Sequence, residues 1–145
     1  MANYQHILIA IDFSDHHLQV CHKAQELAQH YQAQLSIGHI VENYLVSDFA
    51  YEAVSVTINI QDELLDSAQK RINAIAENLT IPKQNQWIEF GSPNHDIVRL
   101  AEEHDVDLIV VGSHGRHGLK LLLGSTANAI LHHAKCDVLA VRLDK

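Results

Sequence analysis

The chain has 145 residues, the length expected of one domain spanning 1–145, and its 47% hydrophobic and 19% charged residues exclude a disordered composition. Eighteen acidic against ten basic side chains give a formal charge of −8, which argues against the broad basic face a general nucleic-acid binder needs. A small anion is still accommodated where backbone N–H groups and a few local cations hold it.

The opening residues carry no charged stretch ahead of a long apolar run, and residues 7–11 are too short for a signal-peptide core or a membrane span. Residues 6–11 read as a first strand, near-continuously apolar and β-branched, as expected when both faces are covered. Asp12-Phe13-Ser14-Asp15 breaks it, with Ser14 or Asp15 placed to cap a helix whose buried stripe is Leu18, Cys21, Ala24, Ala28 and Tyr31. A second strand covers residues 34–40. Residues 41–59 are irregular and include a β-like patch at 54–58.

Leu64, Leu65, Ala68, Ile72, Ile75, Ala76 and Leu79 then form the clearest helical stripe, closed by Pro82. Residues 86–90 alternate like a strand. Gly91-Ser92-Pro93 follows as a turn into a helix, with Ser92 as N-cap, Pro93 at the first helical position, and Ile97, Leu100, Ala101 and His104 facing inward. Residues 107–111 form another buried strand, 128–134 a last helix and 137–142 a last strand. Strict alternation of strands and helices predicts an α/β fold: a parallel sheet with helices on both faces and right-handed crossovers. Cys21 and Cys136 lack a CxxC spacing, which fits a reduced, cytoplasmic chain.

Chemistry concentrates in the segment that leaves the strand at 107–111. It carries four of the six glycines: Gly112, Gly115, Gly118 and Gly124. Open α/β sheets place ligands at the C-terminal ends of their strands. Gly112 and Gly115 can take positive φ and admit a ligand close to the backbone. Gly124-Ser125-Thr126 opens the final helix, whose unpaired N–H groups and positive dipole end suit a phosphate. Ser125 is equally placed as a plain N-cap. Arg116 and Lys120 add local cations. The segment is neither a Walker A loop nor a GxGxxG turn.

Taken together, several ordered stretches resemble the universal stress protein family from end to end. They are His6-Ile7-Leu8-Ile9-Ala10-Ile11-Asp12-Phe13-Ser14, Gly91-Ser92-Pro93, Val110-Val111-Gly112-Ser113-His114-Gly115, Leu122-Leu123-Gly124-Ser125-Thr126 and Cys136-Asp137-Val138-Leu139-Ala140-Val141. The resemblance implies a single-domain, open five-stranded parallel sheet of order 3-2-1-4-5 with an adenine-nucleotide α-hydrolase-like fold, so that the ends carrying Asp12 and Gly112 meet at one crevice. It implies ATP, with Mg²⁺, as the cofactor: Asp12 at the ribose, Ile40 or Val41 beside adenine, and Gly112, Gly115, Gly124 and Ser125 at the phosphates, with Val111, His114, Arg116 and Thr126 as further binding residues and His114 facing phosphate or base. The family motif G-x2-G-x9-G-[ST] maps onto Gly112, Gly115, Gly124 and Ser125, with one departure: eight residues, not nine, separate Gly115 from Gly124. One missing residue displaces a chain by up to ~3.5 Å, more than a phosphate hydrogen bond tolerates without compensation.

Neither metal nor catalytic residues are expected. The adjacent pairs His16-His17 and His132-His133, among twelve histidines, face apart on a helix, and no nucleophile–base set assembles. Three functions stay open: a stress-response nucleotide binder acting through partners, a dimeric interaction protein with a vestigial crevice, and a weak ATPase. The apolar last strand lies at the sheet edge, and the resemblance implies a homodimer through residues 138–143. Nucleic acid and membrane are not expected partners.

Overall fold

The computed structural model of the chain describes residues 3–14, 16–42, 54–113 and 123–143, with 54–59 described by backbone alone. Five strands, β1 (His6–Ala10), β2 (Gln34–Glu42), β3 (Gln86–Gly91), β4 (Leu108–Gly112) and β5 (Asp137–Val141), alternate with α1 (His17–Tyr31), α2 (Val54–Leu79), α3 (Pro93–Glu103) and α4 (Ser125–His133). All pairings are parallel and the spatial order is β3-β2-β1-β4-β5, as expected. Among the described residues no helix is long and apolar enough to cross a membrane.

Double coverage explains the apolar runs. Ile7, Ile9, Ile37, Leu108 and Val110 pack with Val20, Cys21, Ala24, Ile72 and Ala76 of α1 and α2 on one face. On the other face, Leu8, Ala10, Ile40, Ile109 and Val111 pack with Ile97, Leu100, Ala127 and Ile130 of α3 and α4. Alternate residues of one strand thus enter two cores, which leaves few polar positions in the strands; His6 and Ser36 are buried exceptions that bond to each other.

Local details depart from the sequence reading in several places. Ser14 does not cap α1: the helix starts at His17 behind His16, with no side-chain cap bond, and Asp15 lies outside the described residues. The cause is a turn in which Ser14 N–H donates to Asp12 Oδ1 (3.0 Å), with Phe13 at φ 60°, which delays helix entry. Leu18 and Leu64 are exposed; Val20 is buried in α1 instead. The patch at 54–58 is helical, because β-branched residues cost a helix well under ~1 kcal/mol each and a long packed helix overrides that preference. His104 does not face the core. It is the C-cap of α3 and stacks on Trp87 with ring centroids 3.9 Å apart. The last helix opens earlier than 128, at Ser125.

The Gly91 turn has a specific lock. Ser92 is the N-cap, but its side chain makes no cap bond; its N–H donates to Asp96 Oδ2 (2.8 Å). Asp96 also accepts from Arg99 Nε (3.1 Å), and Arg99 reaches Glu89 (2.5 Å) and Glu103 (3.0 Å). The Ser92 amide, followed by Arg99, holds the Asp96 carboxyl below its ordinary value. A Cβ on Gly91 would strike that carboxylate. Gly91→Ala should therefore cost about 1–3 kcal/mol in urea unfolding. An unchanged midpoint would show that the carboxylate moves aside freely.

At the opposite end of the sheet, His6 is buried, with Nδ1 3.0 Å from the His104 carbonyl and Nε2 2.6 Å from Ser36 Oγ. These partners select the neutral ring, Nδ1–H donating to the carbonyl and Nε2 accepting from the hydroxyl. Burial lowers the imidazole pKa from 6.5. Between that lowered value and 6.5 the unfolded chain holds more protons than the folded one, so stability falls as pH drops through this window. His6→Leu should show a shallower loss of stability than wild type between about pH 7 and about pH 5. An equally steep loss in urea titrations would assign the effect to another group.

Candidate functional site

The strand order sends the connections of β1 and β4 to opposite faces of the sheet, opening a crevice beyond their C-terminal ends. Ala10 of β1 pairs in register with Val111 of β4 and with Gly38 of β2. Counting two residues onward along each strand sets Asp12 level with Ser113 on one side and Ile40 on the other. Adjacent strands lie about 4.8 Å apart, so this line of three spans roughly 10 Å.

Asp12 is exposed at the mouth. Its Oδ1 accepts the Ser14 N–H, which orients the carboxylate and leaves Oδ2 with no protein donor among the described residues. The preceding carbonyl is also held, by the His39 ring: Nδ1 is 2.7 Å from Ile11 O. Ile40 and Val41 are buried near the end of β2, opposite Glu89 and Phe90 of β3. Val111 is buried on the same face as Ile40 and Ala10.

The fourth strand meets the last helix through one short bond. Gly124 N–H donates to Ser113 O at 2.6 Å, which draws the N-terminus of α4 back to the end of β4. The Ser113 N–H in turn donates to Val141 O (2.8 Å), and Ser113 Oγ accepts from Leu143 N–H (3.3 Å). Gly124 is the N-cap of α4, and Asn128 N–H makes the first intrahelical bond to Gly124 O (2.9 Å). The N–H groups of Ser125, Thr126 and Ala127 therefore have no carbonyl a turn behind them and point out of the helix end. Ser125 and its hydroxyl are exposed there.

Two expectations need correction. Gly112 does not use a positive φ; it stays in the ladder opposite Val141, which keeps it extended, and among the described glycines Gly91 is the one with a positive φ. Ser125 is not the N-cap but the first helical residue, because Gly124 takes the cap position at φ −64°, ψ 158°. The Gly124 N–H is also already spent on Ser113, which leaves the amides after it as the donors at this helix end. His114, Gly115, Arg116, Gly118 and Lys120 lie outside the described residues. Sequence reading missed Ser113, His39 and Phe13. A lone polar residue after a strand, and a histidine within one, carry no spacing signal that marks them.

An open parallel sheet of this order, with a helix N-terminus and an aspartate at its switch point, defines the adenine-nucleotide α-hydrolase-like class of α/β proteins. The chain belongs to the universal stress protein family, whose model matches residues 3–142. It is 47% identical over 146 residues to universal stress protein A homolog 2 of Coxiella burnetii, covering 99% of this chain and 98% of that one. Among solved structures it superposes on hypothetical protein MJ0577 with a TM-score of 0.86 and 23% identity, covering 99% of both chains. It also superposes on a universal stress protein in complex with cAMP, with a TM-score of 0.63, 24% identity and coverage of 97% and 98%.

The Gly124 conformation is one any L-residue adopts, so the fold does not require glycine there. Gly124→Ser, a better N-cap, should leave the unfolding free energy in urea unchanged or raised by a few tenths of a kcal/mol. A loss above about 1 kcal/mol would show that the fold, not the site, demands this glycine.

Proposed function

We propose that the chain binds an adenine nucleotide across the crevice between β1 and β4 and acts in stress response through partners rather than through strong catalysis. The observation that carries this reading is the 2.6 Å bond from Gly124 N–H to Ser113 O, because it sets the donor end of α4 one strand from Asp12 despite the short Gly115–Gly124 spacing. Asp12 Oδ2 suits a ribose hydroxyl, since a carboxylate oxygen accepts where a hydroxyl donates. Ile40, Val41 and Val111 offer apolar surface for the base. The amides of Ser125, Thr126 and Ala127, with the Ser125 hydroxyl, meet phosphate oxygens at the positive end of the helix dipole. Gly112, His114, Gly115 and Arg116 complete the phosphate side.

The residues fit a nucleotide polyanion better than the net charge of −8 implies, because the donors are backbone amides at one point. When bound, Mg²⁺ would offset phosphate charge, with Asp12 a carboxylate at the crevice mouth. The cAMP complex of a related universal stress protein makes a cyclic monophosphate a second ligand to test beside ATP. The edge strand β5, half-buried and apolar over residues 138–141 with Leu143 buried beyond it, supports a homodimer through residues 138–143 in which two such edges meet. The working compartment under this reading is the cytoplasm.

Denaturing the purified protein and analysing the supernatant should release ATP, ADP, AMP or cAMP, and Mg-ATP or cAMP should give calorimetric heat on titration. Gly124→Val, which places a branched side chain before the helix amides, should weaken binding by at least tenfold, about 1.4 kcal/mol. Neither release nor heat would overturn nucleotide binding and leave a dimeric interaction protein. Phosphate release no faster than a buffer control would dismiss the ATPase alternative.

A further inference from the structure

Phe13 adopts φ 60°, a left-handed conformation that a residue with a bulky side chain enters only when its surroundings hold it there. The surroundings are specific. Its ring lies against the His39 imidazole, with centroids 4.3 Å apart and planes tilted by 43°. The His17 ring stands edge-on to it at 6.4 Å. From α2, the Arg71 guanidinium carbon sits 4.0 Å from the ring centroid, within cation–π range. Among the described residues no carboxylate pairs with Arg71, so its charge is directed at the ring.

These contacts frame one residue. Immediately before Asp12, the Ile11 carbonyl faces His39 Nδ1 at 2.7 Å. Immediately after it, Phe13 is gripped between His39 and Arg71. Asp12 itself closes the turn through Oδ1 and the Ser14 N–H. Both neighbours of the carboxylate are thereby anchored to β2 and α2. The loop would otherwise be free to relieve the φ of Phe13 and swing Asp12 away.

We infer that Arg71, acting through the Phe13 ring, is a positioning residue that holds the Asp12 carboxylate in the orientation that receives the nucleotide's ribose. The inference rests on the nucleotide-binding reading above. Arg71 touches no ligand in this role; it stabilises a backbone conformation of the β1–α1 turn, and the carboxylate follows.

Arg71→Met keeps the aliphatic stem and removes the charge. The expected result is an ATP dissociation constant about two- to fivefold weaker by calorimetry, the size of an exposed cation–π contact. The urea midpoint should stay near wild type, and the Ser14 amide signal in ¹H–¹⁵N NMR spectra should shift or broaden as its bond to Asp12 loosens. Arg71→Lys should restore much of the affinity. In a Phe13→Gly background, where glycine accepts φ 60° without a ring to grip, Arg71→Met should have no further effect.

Unchanged affinity together with an unchanged Ser14 amide would overturn the inference. So would an equal loss from Arg71→Met with and without the Phe13 ring, which would make Arg71 a direct ligand instead. If the wild-type chain binds no nucleotide, the functional reading fails by itself. The Ser14 and Phe13 amide signals of Arg71→Met, recorded without ligand, then decide whether Arg71 positions the turn.

Discussion

Everything in this molecule follows from burying a parallel sheet on both faces. Parallel strands need crossover helices, and those helices cover the sheet, so β1 and β4 at its centre are apolar at nearly every residue. Such strands offer no polar group of their own for chemistry. Function is displaced to the strand ends, and the one place where the connections diverge is the gap between β1 and β4. The same constraint that makes the core featureless makes that gap the natural site.

The site is assembled mainly from backbone. Its open donors are the first amides of α4, and their position is set by a backbone hydrogen bond from Gly124 to Ser113 rather than by a side chain. This explains how a chain of net charge −8 can present a local positive end: the dipole and unpaired amides act over one helical turn and do not depend on the total charge. It also explains why β5 matters to the site although it lies at the edge. Val141 O and Leu143 N–H hold Ser113, which in turn holds Gly124. A partner strand laid along β5 would therefore press on a strand that already anchors the crevice.

The two ends of the sheet are specialised differently. At the N-terminal ends, Asp107 accepts the amides of Gln5 and His6, and the His6 ring is closed off by Ser36 and His104, a polar arrangement with its donors satisfied. At the C-terminal ends, the first amides of α4 and one oxygen of Asp12 have no partner among the described residues. The satisfied end is structural, and the open end is the one the proposed nucleotide site uses.

The amino-acid order by itself determined the alternation of strands and helices, the buried β1 and β4 and the Gly91-Ser92-Pro93 turn, because period and glycine placement are local signals. It misjudged Leu18, Leu64 and His104, whose helical spacing was right but whose faces are chosen by what packs against them. It read the patch at 54–58 as β-like because intrinsic preference is weak beside the packing of a long helix. Only tertiary structure decided that Gly124 reaches Ser113 over the ten residues between them, and that Arg71 of α2 reaches Phe13 in the β1–α1 turn. Both are contacts between residues far apart in the chain, and nothing in their local sequence announces the partner.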